Sequence, residues 1–132
     1  MAASLMRKEM IDLVVVGADR ITKDAVFNKI GTYMHAVSAR FHQIPFYVAA
    51  PLSTFDEEAV EADIIVEERE RDEIACFGGR KTVPDSVPVY NPAFDATPVT
   101  LVSGIITEHG IFRLPGDQDQ IRVFREKFRE GN

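Results

Sequence analysis

Residues 14–33 read VVVGADRITKDAVFNKIGTY, and the fold hangs on how this stretch is parsed. The β-branched run Leu13–Val16 has the continuous apolar character of a strand buried on both faces. A glycine, Gly17, and a carboxylate, Asp19, follow at its end. Placing Asp24 as the cap of a helix puts Asn28 and Lys29 in its first turns, with Ile30, Met34, Val37 and Phe41 at helical spacing for packing on a sheet. Strand, polar loop and helix in that order form the opening unit of a parallel sheet.

The same alternation continues outward. Phe46–Ala50, Ile64–Val66 and Val87–Tyr90 are expected strands, and the charged stretch 67–74 is a helical turn or two broken at Phe77-Gly78-Gly79. Thr97 before Pro98 has the chemistry of a helix start, a hydroxyl N-cap and a proline whose missing donor is not needed. The helix so begun would turn Val99, Val102, Ile105 and Ile106 inward and end on Gly110. Ile111–Leu114 is a last short strand, and residues 120–129 a terminal helix burying Ile121, Phe124 and Phe128. The expected class is therefore α/β, a three-layer domain with a mostly parallel sheet.

Composition sets the outer limits. The chain has 132 residues, 45% of them hydrophobic, which suits one globular domain with a real core. A net charge of −6 without any lysine or arginine run argues against a nucleic-acid partner. No apolar stretch approaches the roughly 20 residues needed to span a bilayer, and no signal peptide is legible, so no membrane partner and a cytoplasmic location are expected. Cys76 is the one cysteine, which rules out an internal disulfide and fits a reducing compartment. No histidine pair, or histidine with cysteine, has metal-ligand spacing, so neither metal nor cofactor is expected. Residues 1–10 have the pattern of the last turns of an amphipathic helix, with Leu5, Met6 and Met10 on one side.

In open parallel sheets ligands bind beyond the carboxyl ends of the strands. Residues 17–20, 51–54, 67–69 and 91–95 would gather there, bringing Asp19, Ser53, Thr54 and Asn91 to one rim. Asn28 and Lys29 at the positive end of a helix would make a phosphate site, with Gly31 and Thr32 allowing close approach, and Asp19 beside it would be a general acid or base. Plainer roles stay open for each. An aspartate after a strand is often a turn or capping residue, and an Asn-Lys pair is often solvated surface. Glu67, Glu68 and Arg69 can be a solvated charge run, Arg20 the neutraliser of Asp19, and Asp95 the organiser of the turn before Thr97. His42 and His109 fall near expected helix ends, where a positive imidazole is favourable, and Cys76 has the surroundings of an incidental thiol.

The succession GADRI, NKIGTY, IPFYVAAP, EER and VYNPAFDATP, from about Ala2 to Leu114, resembles the C-terminal half of methylthioribose-1-phosphate isomerases. Their family also holds ribose-1,5-bisphosphate isomerases and regulatory subunits of the translation-initiation nucleotide-exchange factor. The resemblance implies a Rossmann-like C-terminal domain, a helical N-terminal domain absent here, and a homodimer. It implies that Asp19 is the catalytic acid/base and that Asn28 and Lys29 hold a sugar phosphate, in an aldose-to-ketose isomerisation of S-methyl-5-thioribose 1-phosphate belonging to methionine salvage. Arg20 after Asp19 favours that substrate over ribose 1,5-bisphosphate. Two departures stand out: the loop ITKDAVF is shorter than in many members, and the family's reactive cysteine and arginine-glycine phosphate loop lie upstream of Met1 in motif order. Cys76 does not take that cysteine's place. The expectation is thus the C-terminal part of an isomerase, inactive alone and completed by a missing N-terminal half. The alternative is a non-enzymatic regulatory subunit on the same fold.

Overall fold

A computed structural model describes residues 1–130, with side chains through Lys127; the expected burial of Phe128 lies outside the described side chains. The principal sheet has the order β1-β4-β8-β9. Its strands are β1 (Val14–Val16), β4 (Phe46–Ala49), β8 (Gly104–Thr107) and β9 (Gly110–Phe112). β1 runs parallel to β4, with Val14 opposite Phe46, and β4 runs parallel to β8, with Tyr47 opposite Gly104. β8 and β9 form an antiparallel hairpin. The sheet is mostly parallel and the class is α/β, a Rossmann-like arrangement. Within β4 the pleat turns Phe46 and Val48 fully inward, and with Ile105, Phe112, Met6 and Ile121 they form the core. Gly104 is required by close approach: a Cβ there would come 2.8 Å from the Ile111 side chain.

β1 is an edge strand, so the expectation of burial on both faces fails: Leu13 and Val15 are each about half exposed. Helix α1 (Ala2–Arg7) packs on helix α2 (Thr32–Phe41). α2 lies on the sheet through small residues, Thr32, Ala36 and Ala39. The larger stripe Ile30, Met34, Val37 and Phe41, expected to face the sheet, faces out, with Phe41 81% exposed. Small side chains let the helix axis approach the strands, and the bulkier stripe is left for another surface.

The second sheet overturns three expected features. β2 (Arg20–Ile21), β3 (Ala25–Lys29) and β7 (Phe94–Pro98) form an antiparallel sheet in the order β2-β3-β7. Asp24 therefore begins no helix of its own, its carboxylate accepting instead the N–H of Glu61 at 2.8 Å at the start of the 3₁₀ turn Glu61–Asp63. Asn28 and Lys29 end a strand, with Asn28 opposite Asp95. Lys23 and Asp24 are the tip of a hairpin closed by the Thr22 N–H donating to the Ala25 carbonyl at 2.9 Å. Neither tip residue has positive φ, so the turn lacks the Asn-Gly chemistry that would advertise it. Thr97 likewise lies inside β7, fully buried, and Pro98 at the strand's end loses no ladder donor it needs. The helix expected after Pro98 is a 3₁₀ turn, Val99–Leu101, leading into β8, and Gly110 turns the β8–β9 hairpin.

Residues 64–66 and 87–90 are not strands. The irregular excursion between β4 and β7 carries helix α3 (Asp72–Ala75) and a small hairpin, β5 (Cys76–Phe77) and β6 (Arg80–Lys81), turned by Gly78 and Gly79. Helix α4 (Gln118–Glu130) closes the described chain. Among the described residues, no helix is long and apolar enough to cross a membrane.

Candidate functional site

A cavity of about 460 Å³ lies where β1 and β4 end. Asp19 lines it from the loop after β1, and Ser53 and Thr54 from the 3₁₀ turn Leu52–Thr54 after β4. Asp56, Glu57 and Glu58 continue the wall, and Arg122, Arg125 and Glu126 of α4 face them. A smaller cavity of about 240 Å³ shares the Phe55–Glu58 segment and Arg122, and takes Ile21, Leu114 and Ile121 as its apolar lining. The two parallel strand ends thus behave as the topology requires.

Asp19 is exposed to this space while its backbone is fixed: its N–H donates to the Phe27 carbonyl at 2.8 Å. That bond sets the Asp19 backbone beside the end of β3, so Asp19 and Asn28 are neighbours across paired strands instead of along a loop and helix. Arg20 is not the neutraliser of Asp19; it pairs with Asp56 at 3.0 Å. Arg125 pairs with Glu57 at 3.0 Å, and Arg122 has Asp119 at 3.4 Å. The cavity's arginines are engaged, and its free character is acidic.

The Asn28–Lys29 end is built differently. The Asn28 amide nitrogen donates to the Thr32 hydroxyl at 3.0 Å, which donates to the Lys29 carbonyl at 2.7 Å. Gly31, with φ +103°, begins α2. Asp95 caps this helix from the neighbouring strand: its carboxylate accepts from the Gly31 N–H at 2.7 Å and the Tyr33 N–H at 3.1 Å. Two donors at the start of this helix, the Gly31 and Tyr33 N–H groups, thus serve Asp95. Lys29 remains exposed on the strand end. The Glu73 carboxyl near it is held below the ordinary carboxylate value, first by hydrogen bonds from Arg69 at 2.7–3.1 Å and to a lesser degree by the Lys29 charge. Arg69 belongs to that paired cluster, with Glu67 at 3.6 Å, and not to the cavity.

Asn91, expected on the common rim, is buried away from the cavity, its amide donating to the Glu70 carbonyl at 2.9 Å. His109 lies in the β8–β9 turn and stacks on Phe124, with ring centroids 5.2 Å apart. Three residues escaped sequence reasoning: Asp95 as a cap, Glu108 and Arg125. Glu108 accepts the Leu52 N–H on both carboxylate oxygens at 3.0 and 3.2 Å. An acid in a hairpin turn and an arginine on a polar helix carry no local mark of such roles. Among the described residues, no group of three or more acidic, histidine or cysteine side chains could hold a metal ion.

Residues 1–114 match the Initiation factor 2 subunit family. The chain belongs to that family. Its relatives include the methylthioribose-1-phosphate isomerase of Bacillus velezensis, 56% identical over 113 residues, covering 84% of this chain and 32% of that protein. Among solved structures, the 5-methylthioribose 1-phosphate isomerase of Pyrococcus horikoshii is 47% identical with a TM-score of 0.85, covering 94% of this chain and 35% of that one. The translation initiation factor eIF-2B subunit delta of A. fulgidus is 54% identical with a TM-score of 0.83, covering 87% of this chain and 34% of that one. This Initiation factor 2 subunit family chain spans about a third of the length of the curated relatives it matches.

Proposed function

We propose that this chain is the acid/base-bearing C-terminal part of an aldose–ketose isomerase that converts S-methyl-5-thioribose 1-phosphate to S-methyl-5-thioribulose 1-phosphate. The observation that carries the reading is Asp19 in a cavity at the ends of two parallel strands, in a sequence 50–56% identical to relatives named for that reaction. In the reaction the sugar ring opens, a proton leaves C2, another is delivered to C1, and C2 ends as a carbonyl. One positioned group must handle each proton, and general acid–base transfer needs that group within hydrogen-bond reach. Asp19 takes one of these roles. Asn28 and Lys29 hold the phosphate, through a side-chain amide and a point charge, since Asp95 occupies the helix donors. No cofactor enters the scheme.

The partner group and the second half of the enclosure belong, in this reading, to an N-terminal helical domain outside residues 1–132, which form one domain. The test is to assay this chain alone and together with that N-terminal half taken from an isomerase relative. Turnover is expected only in combination, and Asp19→Asn abolishes it. Turnover by the 132-residue chain alone, lost on Asp19→Asn, would overturn the division of labour. A homodimer in the cytoplasm, without nucleic-acid or membrane partners, completes the proposal. The outward stripe Met34, Val37 and Phe41 on α2 supports a subunit contact, because an apolar patch of that kind is unfavourable in water. A stable monomer in light scattering at high concentration argues against it.

The second reading, a non-enzymatic regulatory subunit, is favoured by the likeness to the subunit delta structure. It predicts sugar-phosphate binding in the same cavity with no turnover in any combination.

A further inference from the structure

We infer that Arg125 is a positioning residue for the Asp19 site, acting by clamping the Leu52–Glu58 segment, which carries Ser53 and Thr54 and lines the cavity together with Asp19. The inference rests on the isomerase reading for its functional consequence. The segment is weak by itself: its internal bonds are those of one 3₁₀ turn, Thr54 N–H to the Pro51 carbonyl at 3.0 Å and Phe55 N–H to the Leu52 carbonyl at 3.2 Å. Its geometry is imposed from outside. At the start, Glu108 holds the Leu52 N–H. In the middle, the Asp56 N–H donates to the Ile21 carbonyl at 2.7 Å.

The far end is held by Arg125. Its guanidinium donates to the Phe55 carbonyl and to the Glu57 carboxylate. Both side chains of the Arg125–Glu57 pair are about three-quarters covered, at 22% and 24% exposure, whereas the Arg20–Asp56 pair on the same segment stands at 49% and 36%. Exposed pairs fix little, and a covered pair whose one guanidinium nitrogen, Nη1, also donates to a backbone carbonyl ties the carboxylate and the main chain of the segment to one point on α4. Arg125 has a rigid base. Ile121, one turn earlier on α4, is 1% exposed in the core, and Phe124 packs edge-on against Phe112 at 5.9 Å. The position of α4 is thereby transmitted to the Leu52–Glu58 wall of the Asp19 cavity. Arg125 lies beyond residue 114, where the family match ends, whereas the Leu52–Glu58 segment that it holds lies within the match.

The experiment reads clamp and function separately. Arg125→Ala, Arg125→Lys and Glu57→Gln are compared with the unaltered chain by hydrogen exchange at the Thr54, Phe55 and Asp56 amides, with circular dichroism as the check on folding. Exchange there should quicken on the order of 10-fold or more in Arg125→Ala and be partly restored in Arg125→Lys, while the amides of β4 and β8 stay protected. In the assay combining this chain with the N-terminal half, Arg125→Ala should lower kcat on the order of 10- to 100-fold with KM nearly unchanged, as for a displaced wall that still admits substrate. Unchanged exchange at these amides overturns the clamp. Faster exchange with unaltered kcat overturns the positioning role. If Arg125→Ala unfolds, Glu57→Gln and Arg125→Lys decide the same two points. Failure of the isomerase reading is distinguishable: the unaltered combination would then lack turnover, or Asp19→Asn would retain it, while the exchange result still accepts or rejects the clamp.

Discussion

The Asp19 side and the Lys29 side of the site grow from neighbouring strands yet are supported by different means. Around Asp19 one wall is an irregular segment pinned from several distant places, by Glu108, Ile21 and Arg125, with Arg20 and Lys23 adding exposed contacts. Asp56 and Glu57 on it are paired with Arg20 and Arg125, and the space is partly enclosed by α4. Around Lys29 the ladder between β3 and β7 sets the backbone, and the side chain stands in solvent beside Glu73. One side is suited to proton transfer, which gains from restricted water and fixed geometry. The other is suited to catching an anion, which gains from reach and charge. In the proposed reading a strand end, and not a helix N-terminus, would carry the phosphate contacts, because Asp95 takes the Gly31 and Tyr33 N–H groups at the start of α2.

The largest expected effect separates these sides. Asp19→Asn, in the combined enzyme, should lower kcat by about 10²- to 10⁴-fold, the usual range for a general acid or base, and leave sugar-phosphate affinity near its original value. Equal losses in binding and turnover would place Asp19 in substrate recognition and erase the contrast. Lys29→Ala should do the reverse. Charge-assisted hydrogen bonds contribute about 1.5–3 kcal/mol, so affinity for the sugar phosphate should fall on the order of 10- to 100-fold in a calorimetric titration while the fold is retained. No change would return Lys29 to the solvated surface.

The same contrast explains what the sequence disclosed. Two strands of the principal sheet, β1 and β4, were legible because β-branched and apolar runs at 14–16 and 46–49 carry their own mark, and the rule of carboxyl ends then found Asp19, Ser53 and Thr54 together. β8 was not, since Ile105 and Ile106 also suit the inward face of the helix expected after Pro98. Nor was the second sheet. Its hairpin turns on Lys23-Asp24 without a glycine, and Thr97-Pro98 offers helix-start chemistry at a place where pairing with Val26 and Ala25 wins. Tertiary pairing overrides local propensity in such segments. On α2 the apolar stripe was read correctly as a stripe and assigned to the wrong partner, since close packing on the sheet falls to Ala36 and Ala39. The resemblance pointed to Asp19, Asn28 and Lys29 as site residues but carried no sign that Asn28 and Lys29 sit on a strand.

A middling effect belongs to Asp95. It joins the second sheet to α2 by capping the helix from across β3, so Asp95→Ala should cost about 1 kcal/mol, as loss of a cap does, and lower Tm by about 2–5 °C. Hydrogen exchange at the start of α2 should quicken first. If instead the whole chain loses stability with α2 still protected, the carboxylate supports the sheet and not the helix.

The smallest effect tests where Lys29 points. Glu73 titrates below its ordinary value because Arg69 hydrogen-bonds its charged form, with Lys29 adding a weaker attraction. A carboxyl whose folded pKa is depressed contributes stability that is fully present above its unfolded value and is lost as pH falls through the folded one. The contribution should therefore hold at neutral pH, begin to fade below about 4.5, the ordinary value, and vanish at still lower pH. Both partners are more than two-fifths exposed, so the effect should be slight and should shrink in salt. Urea unfolding of Glu73→Gln should show a small deficit at neutral pH that closes in acid. An equal deficit at both would assign it to lost packing. In Lys29→Ala, NMR titration of the Glu73 carboxyl should give a pKa slightly higher than in the unaltered chain, and still below the ordinary value because Arg69 remains. An unmoved titration would mean that the Lys29 ammonium spends its time away from Glu73, leaving the strand-end platform without the charge that recognises the phosphate.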